Sequence, residues 1–346
     1  METLRGRREP LYPPTVLARA SDSLDIDGNL IRDPLIYGPV LRAGFQEHLA
    51  TFGERYGVDV GPVLAAAFLV NLLTEDNLPY YTHKNLGVAG ENETLNAWVR
   101  EWTAEEDSHG VLMRDYALLS GLIADHGVIA HATYHAGRSQ QLRSGTEIDP
   151  SSTFHALAYL TLQELLTKEA HNRLGWLLDS VGRSVLRPIS GDEQNHFEFY
   201  LALNHAALEV EPDATLRAMH DVYASFDMPG KVGIPDFGNL AAIVGLSGIF
   251  DLTTIARSMK DIADKLRLAD AQPLTDAGRR AQAAMVELTT EEAVHQQQEL
   301  MERLRAQAAD APGRSGLKDF ILGATIDFRY VDTVAGPRIV SLQEVA

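Results

Sequence analysis

From about Ile36 to Ala308, apolar residues recur every three or four positions, the period of an amphipathic α-helix. Helix breakers fall at Gly57, Gly87–Gly90, Gly145–Pro150, Gly191, Pro212, Pro229–Gly233 and Pro273. They divide the stretch into roughly nine or ten predicted helices. Residues 1–35 carry Pro10, Pro13, Pro14 and Pro34 among scattered charges and read as an irregular N-terminal segment. Residues 36–310 read as one all-α domain. Strand-like alternation occurs only in Phe320–Val331, so 311–346 reads as a tail of different character. The longest apolar run, Val63 to Leu73, is shorter than the ~20 residues a bilayer span needs and is interrupted by Asn71. It predicts a buried core helix.

Four of the predicted stripes place carboxylates among apolar side chains. One carries Leu64, Phe68, Leu72 and Glu75. A second carries Leu95, Trp98, Trp102, Glu106, His109, Met113 and Tyr116. A third carries Leu157, Leu160, Glu164, Thr167, His171 and Leu174, and a fourth Leu186, Ile189, Glu193, His196, Tyr200 and Leu203. Glu106–His109 and Glu193–His196 are Glu-x-x-His motifs, whose spacing sets both side chains on one helix face, a turn apart. An unpaired carboxylate on a buried face is very costly. Bound metal removes that cost. The order along the chain is Glu, Glu-x-x-His, Glu, Glu-x-x-His, and the interval from Glu75 to Glu106 nearly equals that from Glu164 to Glu193. This is the ligand pattern of ferritin-like carboxylate-bridged di-iron bundles. Four carboxylates balance two divalent cations, and a neutral cluster can be buried.

Composition narrows the chemistry further. The 346-residue chain is 45% hydrophobic, enough for a large core. It has no cysteine, which excludes thiolate metal sites and iron–sulfur clusters and leaves His and carboxylates as ligands. The formal net charge of −18 argues against nucleic acid as a partner. No apolar signal core follows Met1, and a cytoplasmic protein without membrane insertion is expected. Basic residues gather at Arg5, Arg7 and Arg8, and at Lys260, Lys265, Arg267, Arg279 and Arg280.

The segment Trp102-Thr103-Ala104-Glu105-Glu106-Asp107-Ser108-His109-Gly110 resembles the W-T-A-E-E-N-R-H-G segment of soluble acyl-[acyl-carrier-protein] desaturases. Leu73–Tyr80 is similar to their first ligand helix, Gln163-Glu164 with Thr167 to the third, and Asp192–His196 to the fourth. Phe226–Gly230 looks like a loop of bacterial members, and the likeness covers about residues 60 to 300. The resemblance implies metal ligands at Glu75, Glu106, His109, Glu164, Glu193 and His196. It implies a threonine near the oxygen site at Thr167 and, at Asp192, an acid that holds a metal-bound histidine. By internal symmetry, Glu105 could serve the other histidine.

The implied activity is O2-dependent desaturation of a fatty acyl chain on acyl carrier protein. It would use two irons (manganese suits the same ligands), electrons from a ferredoxin-type donor, and a homodimeric assembly. Hydroxylation of a carrier-bound or free substrate, a non-catalytic ferritin-like metal protein, and a degenerate carrier-binding desaturase are the alternatives. An acidic carrier requires a local basic patch; the group from Lys260 to Arg280 is the favoured one because it lies inside the matching region. The family usually has an N-terminal tryptophan, whereas the tryptophans here are Trp98, Trp102 and Trp176. Pro188 and Gly191 precede the second motif and predict a kinked or loosened helix there.

Overall fold

The computed structural model describes residues 41–51, 61–123, 129–130, 133, 153–228, 231, 234, 237–272 and 274–309. The predicted N-terminal segment 1–35, the strand-like stretch Phe320–Val331 and the tail 311–346 lie outside the described residues. Among the described residues the fold is all-α. A helical segment over 41–51 is followed by α1 (Gly61–Glu75), α2 (Leu78–Ala89), α3 (Glu93–Ser120), α4 (Thr153–Leu177), α5 (Ser180–Val210), α6 (Pro212–Ala224), α7 (Phe237–Ser247), α8 (Leu252–Lys265), α9 (Asp276–Leu288) and α10 (Glu291–Ala309).

Local sequence sets many of these boundaries. The Asn92 side chain accepts from Leu95 N at 3.0 Å to cap α3, which stops at Gly121 in the left-handed region, φ 74°. Asp179 caps α5 by accepting from Gly182 N at 2.8 Å, and Asp251 caps α8 by accepting from Thr254 N at 3.0 Å. Pro212 opens α6, where its missing N–H costs nothing. Gly191, predicted as a break, instead lies inside α5, which runs from Ser180 to Val210 through both Pro188 and Gly191. Leu186, Ile189 and Glu193 are buried on either side, and that burial outweighs the local preference.

The four helices with inward carboxylates form a closed ring. α1 packs on α3 and α4, and α5 packs on α3 and, most extensively of any pair, on α4. This is a ferritin-like four-helix arrangement. The core divides into two apolar clusters. Phe68, Leu72, Met113, Leu174, Leu186 and Ile189 belong to one; Leu162, Leu166, Phe197, Leu216, Ile262 and Met285 belong to the other. Along α4 and α5 His171, Glu193 and His196 fall between these clusters and Glu164 lies level with Leu162 and Leu165 of the second, so the fold holds a charged layer bordered by two dry ones. The run predicted as a buried helix is α1, with Val63, Leu64, Phe68 and Leu72 all at 0% exposure. No single helix among the described residues is long and apolar enough to cross a membrane.

Candidate metal centre

Glu75 lies at the C-terminal end of α1, Glu106 and His109 in the middle of α3, Glu164 in α4, and Glu193 and His196 in α5. All six are buried. The structure brings them together as two groups of four. Glu75, Glu106, His109 and Glu193 form one; Glu106, Glu164, Glu193 and His196 form the other. Within each group the potential ligand atoms lie within 4.8 Å of one another. Glu106 and Glu193 are common to both groups.

The two imidazoles have corresponding orientations. His109 Nδ1 is 3.2 Å from Glu106, 3.4 Å from Glu193 and 3.8 Å from Glu75. His196 Nδ1 is 3.0 Å from Glu106 and 3.6 Å from Glu164. Each Nε2 points outward to an acid: His109 to Asp192 at 3.4 Å, His196 to Glu105 at 3.0 Å. A carboxylate accepting from Nε2–H holds the ring so that the Nδ1 lone pair faces the cluster. Asp192 and Glu105 thus each stand beside one of the two imidazoles.

The electrostatics are those of a site short of positive charge. Burial, then the charge of Glu193, pushes the Glu164 carboxyl up to about 8. Burial raises Glu106 as well. Glu75 goes the other way: burial pushes it up, but hydrogen bonds from His109 and His171 hold it well below the usual carboxylate range. Burial disfavours charging His196, yet its hydrogen bonds to Glu105, Glu106, Glu164 and Glu193 raise it far above an ordinary histidine. The donor set, four carboxylates and two imidazoles buried together with no compensating cation among the described side chains, fits a pair of divalent cations.

Sequence reasoning missed His171 as part of the site. It is fully buried, and its Nε2 lies 3.0 Å from Glu75 Oε1. The available signal was its place seven residues after Glu164 on the same inward stripe. Thr167 lines the cavity described next, but its hydroxyl donates to the Gln163 carbonyl at 2.8 Å.

A cavity of about 720 Å³ opens onto Glu75, Glu106, Glu164 and Glu193. One face of α2, with Leu78, Tyr81, Asn85 and Val88, forms a wall; Tyr159, Leu160 and Gln163 of α4 form another. Aromatic residues close the far side of His196. Trp98 stacks on Phe199 with ring centroids 3.8 Å apart and stands edge-on to His196 at 6.0 Å; Trp102 lies 6.4 Å from the same ring. Trp176 sits away from the cluster, half-exposed, with the Arg183 guanidinium 4.4 Å above its ring.

Four of the five cations of the favoured docking group are paired with acids. Lys260 pairs with Asp264 and Glu291, Lys265 with Asp261, Arg267 with Asp270 and Arg279 with Asp276. None of these residues lines the cavity. Lys84 does, and so does Lys231, which pairs with Asp227 on the same wall.

Comparison with known proteins places these features in context. The family described as fatty acid desaturase matches residues 41–313. A protein of Mycobacterium tuberculosis named acyl-[acyl-carrier-protein] desaturase DesA1 is 27% identical over 227 residues, covering 63% of this chain and 65% of its own length. Chloroplastic acyl-[acyl-carrier-protein] desaturase 4 of Oryza sativa subsp. japonica is 29% identical over 310 residues, covering 80% of this chain and 71% of the relative. An X-ray structure titled as acyl-ACP desaturase DesA2 of Mycobacterium tuberculosis H37Rv aligns over 72% of this chain and 98% of its own, with 18% identity and a TM-score of 0.46. The match to the mycobacterial DesA1 thus spans just under two thirds of that protein.

Proposed function

The chain belongs to the fatty acid desaturase family, and from that premise we propose that it is an O2-dependent di-iron desaturase acting on a fatty acyl chain carried by acyl carrier protein. The observation that carries this reading is the cavity whose inner wall is the carboxylate face of the buried Glu/His cluster. A mostly apolar cavity reaching a buried site that would hold a redox-active metal pair suits oxidation of an unactivated alkyl chain.

In this reading Glu75, Glu106, His109 and Glu193 would hold one iron, and Glu106, Glu164, Glu193 and His196 the other. Manganese would find the same donors acceptable. When bound, the metal pair supplies the O2 reduction that removes two neighbouring hydrogens from the chain. The balance is one O2, two electrons from a ferredoxin-type donor, two protons and two substrate hydrogens, giving a double bond and two waters. The protein residues contribute placement. Asp192 and Glu105 fix the two imidazole rings. Thr167 brings a hydroxyl to the cavity wall, where rotation away from the Gln163 carbonyl would free it to give a hydrogen bond near the oxygen site. The two apolar clusters exclude water from the charged layer.

The test is mass spectrometry of acyl-carrier-protein thioesters after incubation with iron-loaded protein, ferredoxin, its reductase and O2. A product lighter by two hydrogens supports the reading. A product heavier by one oxygen replaces desaturation with hydroxylation, and an unchanged thioester under conditions of full metal loading rejects both.

A further inference from the structure

The two ligand groups repeat along the chain, yet one residue of the buried layer has no counterpart in the repeat. Glu75 corresponds to Glu164, Glu106 to Glu193 and His109 to His196. α1 ends at Glu75, whereas α4 runs on past Glu164 to Leu177. That extension carries His171, two turns beyond Glu164 on the same stripe, to Glu75 on the neighbouring helix. The position equally far beyond Glu75 is Thr82 on α2, whose hydroxyl bonds with that of Thr103 at 2.9 Å. Among the described residues, no imidazole outside the ligand groups stands beside Glu164 as His171 stands beside Glu75.

His171 is fully buried and belongs to neither group of potential ligands. Its Nε2 is 3.0 Å from Glu75 Oε1 and 4.0 Å from Glu193 Oε1, and its Nδ1 has no partner. A residue needed only to fill space here would be apolar, because burying an imidazole with one nitrogen unpaired costs free energy. The other Glu75 oxygen, Oε2, is the one near His109 Nδ1, at 3.8 Å. The carboxylate is thus divided, with one oxygen held by α4 and the other turned to the cluster. Glu75 needs such an anchor more than Glu164 does: it is the last residue of α1, while Glu164 sits mid-helix.

We propose that His171 is a positioning residue that makes the two metal sites unequal. Its Nε2–H holds Glu75 Oε1 and so aims Oε2 at the ion bound with His109. The inference rests on the two-metal part of the function proposed above. A neutral imidazole still has one N–H to donate, so it anchors Glu75 without adding charge to four carboxylates already balanced by two divalent ions.

The experiment is cobalt(II) titration of the metal-stripped full chain, followed by visible absorption, with bound ions counted by elemental analysis. Cobalt suits the same nitrogen and oxygen donors. Wild type should bind two ions. His171→Leu should weaken one of them about 10–100-fold, the range for removing a ligand's outer partner, and leave the other within about twofold. Absorption should change for the weakened ion alone. In a Glu164→Ala background the remaining ion should weaken on His171→Leu; in a Glu75→Ala background it should not. His171→Gln, whose amide can still donate to Glu75, should restore most of the affinity. His171→Asn, polar but too short to reach, should behave as the leucine variant does, which keeps the test open if that variant fails to fold. Unchanged affinities in the leucine and asparagine variants, equal weakening of both ions, or an effect that persists without Glu75 would each overturn the inference while the two-metal reading stands. Wild type that binds no cobalt would sink both.

Discussion

Glu106 and Glu193 each belong to both ligand groups, whereas Glu75 and Glu164 belong to one apiece. Substitutions should sort accordingly. Wild-type protein should hold two metal ions per chain by elemental analysis, Glu75→Ala or Glu164→Ala about one, and Glu106→Ala neither, with oxygen-dependent turnover lost in all three. Loss of both ions on Glu75→Ala would argue against two separable sites. Acid–base behaviour offers a second check on metal-stripped protein. The folded Glu164 carboxyl titrates at about 8, above its ordinary value of 4.5, so its contribution is complete below 4.5 and is lost as pH rises through about 8. His109 and His196, both raised, act in the same direction above their ordinary 6.5. The melting temperature of stripped protein should therefore fall by roughly 3–6 °C from pH 6.5 to 9. Glu164→Gln should flatten part of that slope. The ligands were legible in the sequence because metal binding needs particular residue types at helical spacing on apolar faces. His171 was not: a lone histidine on an apolar stripe looks like packing until Glu75 is found 3.0 Å away.

Helix existence was legible for a similar reason, since the apolar period runs almost unbroken from α1 to α10. Which glycines break helices was not. Gly191 sits exposed in the middle of α5, where neighbouring burial decides the conformation. Gly110, the last residue of the motif that gave the family resemblance, shows the opposite case. A β-carbon there would lie 2.9 Å from Asp76 Oδ1, and Asp76 is held in place by Arg114 and by Thr133 at 2.9 Å. The glycine therefore lets α3 approach the end of α1, next to both His109 and Glu75. Gly110→Ala should cost about 1–3 kcal/mol of stability by overpacking. It should also weaken the metal bound by Glu75 before that bound by Glu164. Calorimetric melts paired with metal titration would show it, and an unchanged midpoint with full loading would contradict the close-packing account.

For the molecule as a whole, the −18 charge repels an acidic partner at long range, and pairing neutralises Lys260, Lys265, Arg267 and Arg279, four of the five basic residues that the sequence suggested for docking. Each of those cations has an acid three or four residues away, so adjacency of charge in sequence was visible but its cancellation on the helix surface was overlooked. Lys84 and Lys231 line the cavity, and Lys231 likewise has an acid four residues away, Asp227, so Lys84 is the main cation there to meet an acidic carrier. Reversing both to Glu should raise KM for a carrier-bound chain several-fold at low ionic strength, an effect that fades with salt because exposed charges are screened over about 8 Å at physiological ionic strength. The same reversal at Arg279 and Arg280 should change KM little. Equal effects at the two places would point to nonspecific repulsion.

The distribution of the indole rings gives the protein a built-in optical gauge. Two of the three tryptophans, Trp98 and Trp102, stand within 6.4 Å of the His196 ring, while Trp176 lies outside the cluster under a guanidinium. A paramagnetic ion bound at His196 should darken the emission of the first pair and leave the third as an internal reference. Loading could then be followed by light alone, without product analysis, and the residual signal after saturation should be that of Trp176.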